Sequence, residues 1–134
     1  MNLFIVEDSE LVRDRLISLL FDIPGIAVVG YAEDELEAIE RIGELLPDIV
    51  ILDLRLRTGS GINVLKNIKK QHAEIKVAVL TNDDNRLYET ICMRAGADCY
   101  FDKSFQLSRV YSALWLWCNP AHPDSTTALS RGMQ

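Results

Sequence analysis

The sequence predicts one α/β domain in which helices cover both faces of an open, five-stranded parallel sheet. Five short apolar runs rich in Ile and Val recur without alternating with polar residues, as in strands buried on both faces. Amphipathic segments with apolar residues at three- and four-residue spacing lie between these runs. The chain has 134 residues, enough for one core and too few for two ordinary domains.

Each predicted strand is followed by its helix, so the pattern is (βα) repeated five times. The strands are expected at residues 3–6, 26–29, 49–52, 77–80 and 99–101. The helices are expected at residues 11–21, 36–46, 62–71, 87–94 and 107–117. Parallel strands joined by right-handed crossovers form a doubly wound sheet, in which functional groups collect beyond the carboxyl ends of the strands.

Capping and helix-breaking residues agree with these boundaries. Asp8 or Ser9 can cap the first helix, Pro47 ends the second, and Gly96 lies where the fourth should end. After Cys118 the periodic pattern gives way to a stretch rich in proline and hydroxyl residues. We therefore expect a folded domain at residues 1–118 and a flexible C-terminal tail at 119–134.

Charge and hydropathy argue against several classes of function. A formal net charge of −6 at pH 7 is opposite to the basic face that nucleic-acid binding requires, so no direct nucleic-acid binding is expected. No apolar run reaches the roughly 18 residues of a membrane-spanning helix. The first residues lack the basic leader of a secretory signal, and the three cysteines lack the spacing of a metal or redox motif. We expect a cytoplasmic location.

The polar residues at the predicted strand ends share one edge of the sheet. The first strand ends in Glu7 and Asp8, the third in Asp53 and the fourth in Thr81, and Lys103 follows the fifth. Three carboxylates gathered there would repel one another unless a cation relieved them, and hard oxygen ligands suit Mg²⁺. The sequence therefore predicts a magnesium site at this edge.

Asp53 is the candidate nucleophile, because it follows the central apolar run and should be held firmly at the strand tip. Attack of a carboxylate on phosphorus is its natural chemistry at such a site. The phosphoryl oxygens then need fixed partners, and the ammonium of Lys103 and the hydroxyl of Thr81 are of the right kind.

These five residues, in order on five βα units, resemble the receiver domain of bacterial two-component response regulators, which has a flavodoxin-like fold. The resemblance covers roughly residues 2–117. The string RAGAD at 94–98 also resembles this family. The likeness is nearest to receivers that precede helix-turn-helix output domains.

The resemblance implies a phosphorylation-dependent switch. Asp53 would accept a phosphoryl group from a sensor histidine kinase or phosphotransfer protein. Asp8 and Asp53 would hold Mg²⁺ directly, the backbone carbonyl of Arg55 would be a third ligand, and Glu7 would act mainly through water. The chain would not be an enzyme beyond self-catalysed phosphotransfer and autodephosphorylation.

The resemblance also implies where the signal leaves the domain. Thr81 and Tyr100 would move together on phosphorylation and change the face formed by the fourth helix, fifth strand and fifth helix. A homodimer or a downstream effector protein would bind there. The candidate contact residues are Leu87, Tyr88, Tyr111 and Trp115.

The sequence departs from the family pattern at two positions. Arg57 stands where proline is usual in the loop after the phosphorylation site, and Ser104 follows Lys103 where proline is usual. The family's peptide bond at the second position is typically cis, which costs about 2.5–4 kcal/mol for a residue other than proline.

Two residues near the predicted site carry opposite charges. Arg55 lies two positions beyond Asp53, and Asp83 lies two beyond Thr81. We expect them to flank the mouth of the site and to pair across it, with Asn82 adding bulk. Such a gate would hinder the water that hydrolyses the acyl phosphate.

Other functions remain open on the same fold. A flavodoxin-like nucleotide binder should have a Gly- or Ser/Thr-rich phosphate loop after the first strand, whereas this loop is acidic. An aspartyl-type Mg²⁺ phosphatase would usually have an acid at position 55. An inert receiver that only binds protein is disfavoured by the intact five-residue set. A truncated receiver of a DNA-binding transcriptional regulator remains an alternative.

Overall fold

The computed structural model describes residues 1–82, 86–102 and 107–119, and for Leu107 it describes the backbone alone. Strands and helices alternate as predicted. The strands are β1 Asn2–Val6, β2 Ala27–Ala32, β3 Ile49–Leu52, β4 Lys76–Thr81 and β5 Cys99–Asp102. The helices are α1 Glu10–Phe21, α2 Glu35–Leu45, α3 Gly61–Gln71, α4 Arg86–Arg94 and α5 Leu107–Cys118.

The five strands form one parallel sheet in the order β2-β1-β3-β4-β5. The predicted fold class is confirmed. Because every strand runs in the same direction, all five carboxyl ends meet at one edge of the sheet. β1, β3 and β4 are the three inner strands, so the groups that follow β1 and β3 are brought next to each other.

Two apolar clusters fill the space on either side of the sheet, because successive strand residues point to opposite faces. Phe4 and Val6 belong to the first cluster, which packs against α2, α3 and α4. Leu3 and Ile5 belong to the second cluster, which packs against α1 and α5. This burial on both faces explains why the inner strands β1, β3 and β4 are apolar along most of their length, whereas the edge strand β2 is largely exposed.

The edge strand β2 differs most from its prediction, since it extends to Ala32 and not to residue 29. Its register against β1 steps from the pair Leu3 and Val28 to the pair Phe4 and Gly30, so Val29 is an extra residue. The continuous apolar pattern ends at this bulge, although strand pairing continues beyond it.

Helix ends follow the predicted local chemistry. Ser9 caps α1 by accepting a hydrogen bond from the Val12 backbone N–H at 3.3 Å. α2 stops one residue before its predicted end because Leu46, directly before Pro47, takes a left-handed conformation with φ of 46°. Gly96, just beyond α4, has a φ of 104°, which glycine adopts without steric cost.

The first residue of the predicted tail is tied to the domain. Asn119 donates a hydrogen bond from Nδ2 to the carbonyl oxygen of Trp115 at 2.8 Å, in the last turn of α5. Residues 120–134 lie outside the described part of the chain. Within the described residues, no helix has both the length and the apolar character needed to cross a membrane.

The start of α3 packs directly on the backbone at the end of β3. The Gly61 N–H donates to the carbonyl oxygen of Leu54 at 2.9 Å. A Cβ atom at Gly61 would lie 2.1 Å from the carbonyl oxygen of Asp53 and 2.7 Å from the Cα of Leu54. Both are backbone atoms and cannot rotate away, so glycine is required for this close approach.

We predict that Gly61→Ala lowers the free energy of unfolding by about 1–3 kcal/mol, because the added methyl must displace backbone. Gly43→Ala is the matched control. Gly43 lies inside α2, and nothing would be within 4 Å of an added Cβ, so alanine there should stabilise by about 0.5–1 kcal/mol. Urea denaturation of the two variants measures both effects. Equal changes at both positions would contradict the packing argument.

Candidate functional site

Three carboxylates converge where β1 and β3 end. Glu7 and Asp8 follow β1 and Asp53 follows β3, and one carboxylate oxygen from each lies within 4.8 Å of the other two. The strand register brings them together, because Val6 pairs with Leu52 and the Asp53 N–H donates to the carbonyl oxygen of Val6 at 2.9 Å. The structure thus gathers the acids that the sequence predicted to meet.

Two of these three carboxylates are withdrawn from water. Glu7 is 2% exposed and Asp53 is 6% exposed, whereas Asp8 is exposed. Carboxylates withdrawn from water interact through a lower effective dielectric, and a nearby cation favours their ionised forms. Three anionic oxygen donors at this spacing fit a hard divalent cation such as Mg²⁺.

The loop between β3 and α3 is held by hydrogen bonds to Glu35, the first residue of α2. Glu35 accepts two hydrogen bonds at Oε1, one from the Ser60 N–H at 2.9 Å and one from Asn63 Nδ2 at 3.1 Å. Its own N–H donates to the carbonyl oxygen of Thr58 at 3.1 Å. These contacts fix the loop that carries the residues immediately after Asp53.

Arg57, at the position where the resemblance implies proline, makes contacts that proline could not make. Its N–H donates to the carbonyl oxygen of Glu33 at 3.3 Å. Its guanidinium lies 3.4 Å from the Glu33 carboxylate and 3.7 Å from that of Asp34. Because the Arg57 side chain is 61% exposed, these ion pairs contribute only about 0–1 kcal/mol.

The remaining predicted site residues differ in burial, and some of them lie outside the described part of the chain. Thr81 ends β4 and is fully buried, and Tyr100 on β5 is half-buried against the first apolar cluster. Arg55 is exposed at the site edge, and its N–H lies 3.4 Å from Asp53 Oδ1. Asn82 is also exposed. Lys103, Ser104 and Asp83 lie outside the described residues.

The predicted partner face lies around β5, where α4 and α5 approach from opposite sides of the sheet. Leu87 is 61% exposed in the first turn of α4. Tyr88 is half-buried against the first apolar cluster. Tyr111 and Trp115 are half-buried against the second. The aromatic residues therefore pack partly into the domain and leave only part of each ring for a partner.

The cysteine thiols are poor nucleophiles. Burial, reinforced by the negative charge of Asp98, raises the pKa of Cys99 to about 11. Burial also raises the pKa of Cys92. Their thiolates are therefore scarce at neutral pH, and Cys92 belongs to the first apolar cluster.

Sequence reasoning missed one residue beside the site, Arg13. It is 8% exposed and donates from Nη1 to the carbonyl oxygen of Glu7 at 2.9 Å. A signal was present in the sequence, because Arg13, Leu16 and Leu20 are the buried residues of α1 and follow a spacing of three and four. A charged residue within a buried stripe is a sign of a specific partner.

The chain is thus a doubly wound (βα)5 domain. At the carboxyl edge of its sheet it carries a group of acidic residues that could bind a divalent cation. A comparison with protein families matches residues 3–114 to the response regulator receiver domain. The chain belongs to this family. Receiver domains generally bind Mg²⁺ at an acidic pocket, and this chain has an acidic group formed by Glu7, Asp8 and Asp53.

Curated relatives agree with this assignment. The chain is 30% identical over 115 residues to the response regulator GacA of Pseudomonas viridiflava, covering 86% of this chain and 54% of the relative. It is 33% identical over 111 residues to the response regulator protein VraR of Staphylococcus saprophyticus, covering 81% of this chain and 52% of the relative. The chain thus spans about half the length of the curated relatives it matches.

Solved structures give the same picture. A two-component response regulator of the LuxR family from Aurantimonas superposes with a TM-score of 0.81 at 26% identity, covering 98% of this chain and 96% of that one. The response regulator domain of Thermotoga maritima CheB superposes with a TM-score of 0.76 at 28% identity, covering 90% and 95%.

Proposed function

We propose that this receiver domain is a phosphorylation-dependent signalling switch of a two-component system, in which Asp53 accepts the phosphoryl group. The observation that carries the proposal is the convergence of Glu7, Asp8 and Asp53 at the ends of two neighbouring strands. The donor would be a sensor histidine kinase or a phosphotransfer protein in the cytoplasm.

Asp53 would act as the nucleophile. One of its carboxylate oxygens forms a bond to phosphorus while the phosphorus–nitrogen bond of a phosphohistidine, or the phosphorus–oxygen bond of acetyl phosphate, breaks. Bound Mg²⁺, held by Asp8, Asp53 and the Arg55 carbonyl with Glu7 acting through water, would supply positive charge for the transferring group.

Two further residues would meet the phosphoryl oxygens. Thr81, at the end of β4, would donate from its hydroxyl, and Lys103 would donate from its ammonium. Thr81 also supports the switch role, because it is buried at the strand end while Tyr100 is half-buried on the neighbouring strand β5. Because β4 and β5 are paired, a rearrangement at Thr81 would act directly beside the strand that carries Tyr100.

The output would pass through the face formed by α4, β5 and α5, to a second copy of the domain or to an effector protein. Because the matched relatives include a transcriptional regulatory protein, LiaR of Bacillus subtilis, a role within a DNA-binding transcriptional regulator is the second candidate. An aspartyl-type phosphatase is disfavoured by Arg55, which stands where that chemistry usually has an acid.

We predict that acetyl phosphate and Mg²⁺ add one phosphoryl group to the wild-type chain and none to Asp53→Asn. The substitution keeps the size of the side chain and removes the nucleophilic carboxylate. Intact-protein mass spectrometry measures the label, and Asp14→Asn, an exposed acid on α1, controls for the lost charge. Labelling of the Asp53→Asn variant to the wild-type level would refute the assignment. Repeated turnover of phosphomonoesters would instead indicate a phosphatase.

We predict that Arg55→Ala and Asp83→Ala each speed the loss of the label, because an open mouth admits the hydrolytic water. If the two residues pair, either single substitution already breaks the pair. The double variant should then lose the label more slowly than the product of the two single rate increases predicts. Decay followed by mass spectrometry tests this. Identical decay in the wild type and all three variants would exclude the gate.

We predict that beryllofluoride with Mg²⁺ promotes self-association that Leu87→Ala weakens. Leu87 is exposed at the proposed face, so its removal disturbs the core less than removal of half-buried Trp115 would. Leu36→Ala is the control, because Leu36 is an equally apolar residue, 79% exposed, in the first turn of α2. Sedimentation velocity measures association. A monomer under all conditions would argue against homodimer output and favour an effector protein.

A further inference from the structure

The backbone turn that carries Glu7 and Asp8 is held from three sides. The Glu7 N–H donates to the carbonyl oxygen of Ala32 on β2 at 2.9 Å. The Ser9 N–H donates to Glu7 Oε2 at 3.1 Å. The Glu7 carbonyl oxygen accepts the hydrogen bond from Arg13 Nη1. The first two contacts are local to the strand end, whereas the third comes from a buried side chain of α1.

The guanidinium of Arg13 is itself fixed by β2 and the residues after it. Its Cζ lies 4.2 Å from the centroid of the Tyr31 ring, within the range of a cation–π contact. Its Nη1 lies 4.0 Å from the Glu33 carboxylate. A planar cation that stacks on one ring and donates to one carbonyl has little freedom to turn.

Charge balance and backbone support by a cation affect metal binding in opposite directions. A cation placed near the three carboxylates for charge balance alone would compete with Mg²⁺, and its loss would strengthen metal binding. A cation that holds the backbone of two metal ligands has the opposite effect, because its loss allows those ligands to move away from Asp53. The direction of the change in metal affinity therefore separates the two roles.

We propose that Arg13 is a positioning residue of the metal site: it holds the Glu7–Asp8 turn in the place where both carboxylates face Asp53, and Tyr31 holds Arg13. This inference rests on the proposed function, since it takes Mg²⁺ as the ion at the site. It adds α1 and the edge strand β2 to the parts of the domain on which metal affinity depends.

The test compares two arginines of the same helix. Arg13→Met keeps the apolar stem and removes the charge and the donors, while Arg15→Met removes the same charge from an exposed position. Mg²⁺ affinity is measured without phosphorylation, from the amide resonances of Asp8 and Asp53 during a titration with MgCl₂. Circular dichroism shows that each variant is folded.

We expect Arg13→Met to weaken Mg²⁺ binding roughly tenfold relative to Arg15→Met, the scale typical for partners that orient metal ligands. Arg13→Lys should restore only part of the affinity, because an ammonium keeps the charge and a donor but loses the planar stack. An affinity equal to or tighter than that of Arg15→Met would overturn the proposal and leave Arg13 as a counter-charge.

A second pair of variants keeps the proposal testable if Arg13→Met does not fold. Tyr31→Phe retains the ring under the guanidinium and should bind Mg²⁺ as the wild type does, whereas Tyr31→Leu should bind more weakly. Equal affinities in this pair would also count against the proposal. Failure of the wild type to bind Mg²⁺ would overturn both proposals. Intact Mg²⁺ binding without labelling of Asp53 would overturn the proposed function alone.

Discussion

Repulsion among carboxylates at one edge of the sheet is the constraint on which the rest of the site depends. Two of the three, Glu7 and Asp53, are almost fully buried, with oxygens within 4.8 Å. At an effective dielectric of about 20, two full charges at such a separation oppose each other by on the order of 3 kcal/mol. The fold maintains this arrangement because the register of β1 and β3 is set by apolar burial on both faces of the sheet.

The loops around the site serve to hold backbone in place. Where the family usually has proline to restrict the loop after the phosphorylation site, this chain has Arg57, whose N–H bonds to the neighbouring loop. Glu35 adds two accepted hydrogen bonds on the same side. The restriction that proline gives through its ring is thus replaced by contacts between two loops, and Gly61 lets the next helix begin directly against Asp53.

Much of this was predictable from the sequence, because parallel topology fixes where strand ends meet. The apolar runs indicated where the strands lie along the chain, and the residues after them indicated the acidic group. The full length of β2 was not predictable, since a bulge at Val29 interrupts its pattern while pairing continues. Arg13 was missed because a charged residue is ordinarily assigned to the solvent side of a helix, although its spacing from Leu16 and Leu20 places it on the buried face of α1. The roles of Asp53, Thr81, Tyr100, Arg55, Lys103 and Asp83 stay predictions.

Glu33 lies between two arginines, and their burial decides which of the two matters for the site. Arg57 approaches Glu33 more closely, at 3.4 Å against 4.0 Å for Arg13, but its side chain is 61% exposed and that of Arg13 is 9% exposed. Water screens the exposed pair and competes for its hydrogen bonds. Arg13 has little water to return to, so removing any of its partners leaves a buried charge incompletely satisfied. Arg13, although its contact with Glu33 is the longer one, is therefore the more important of the two cations for the site. The edge strand β2, which supplies Tyr31 and Ala32, thus helps to support a site whose nucleophile follows β3, two strands away in the sheet.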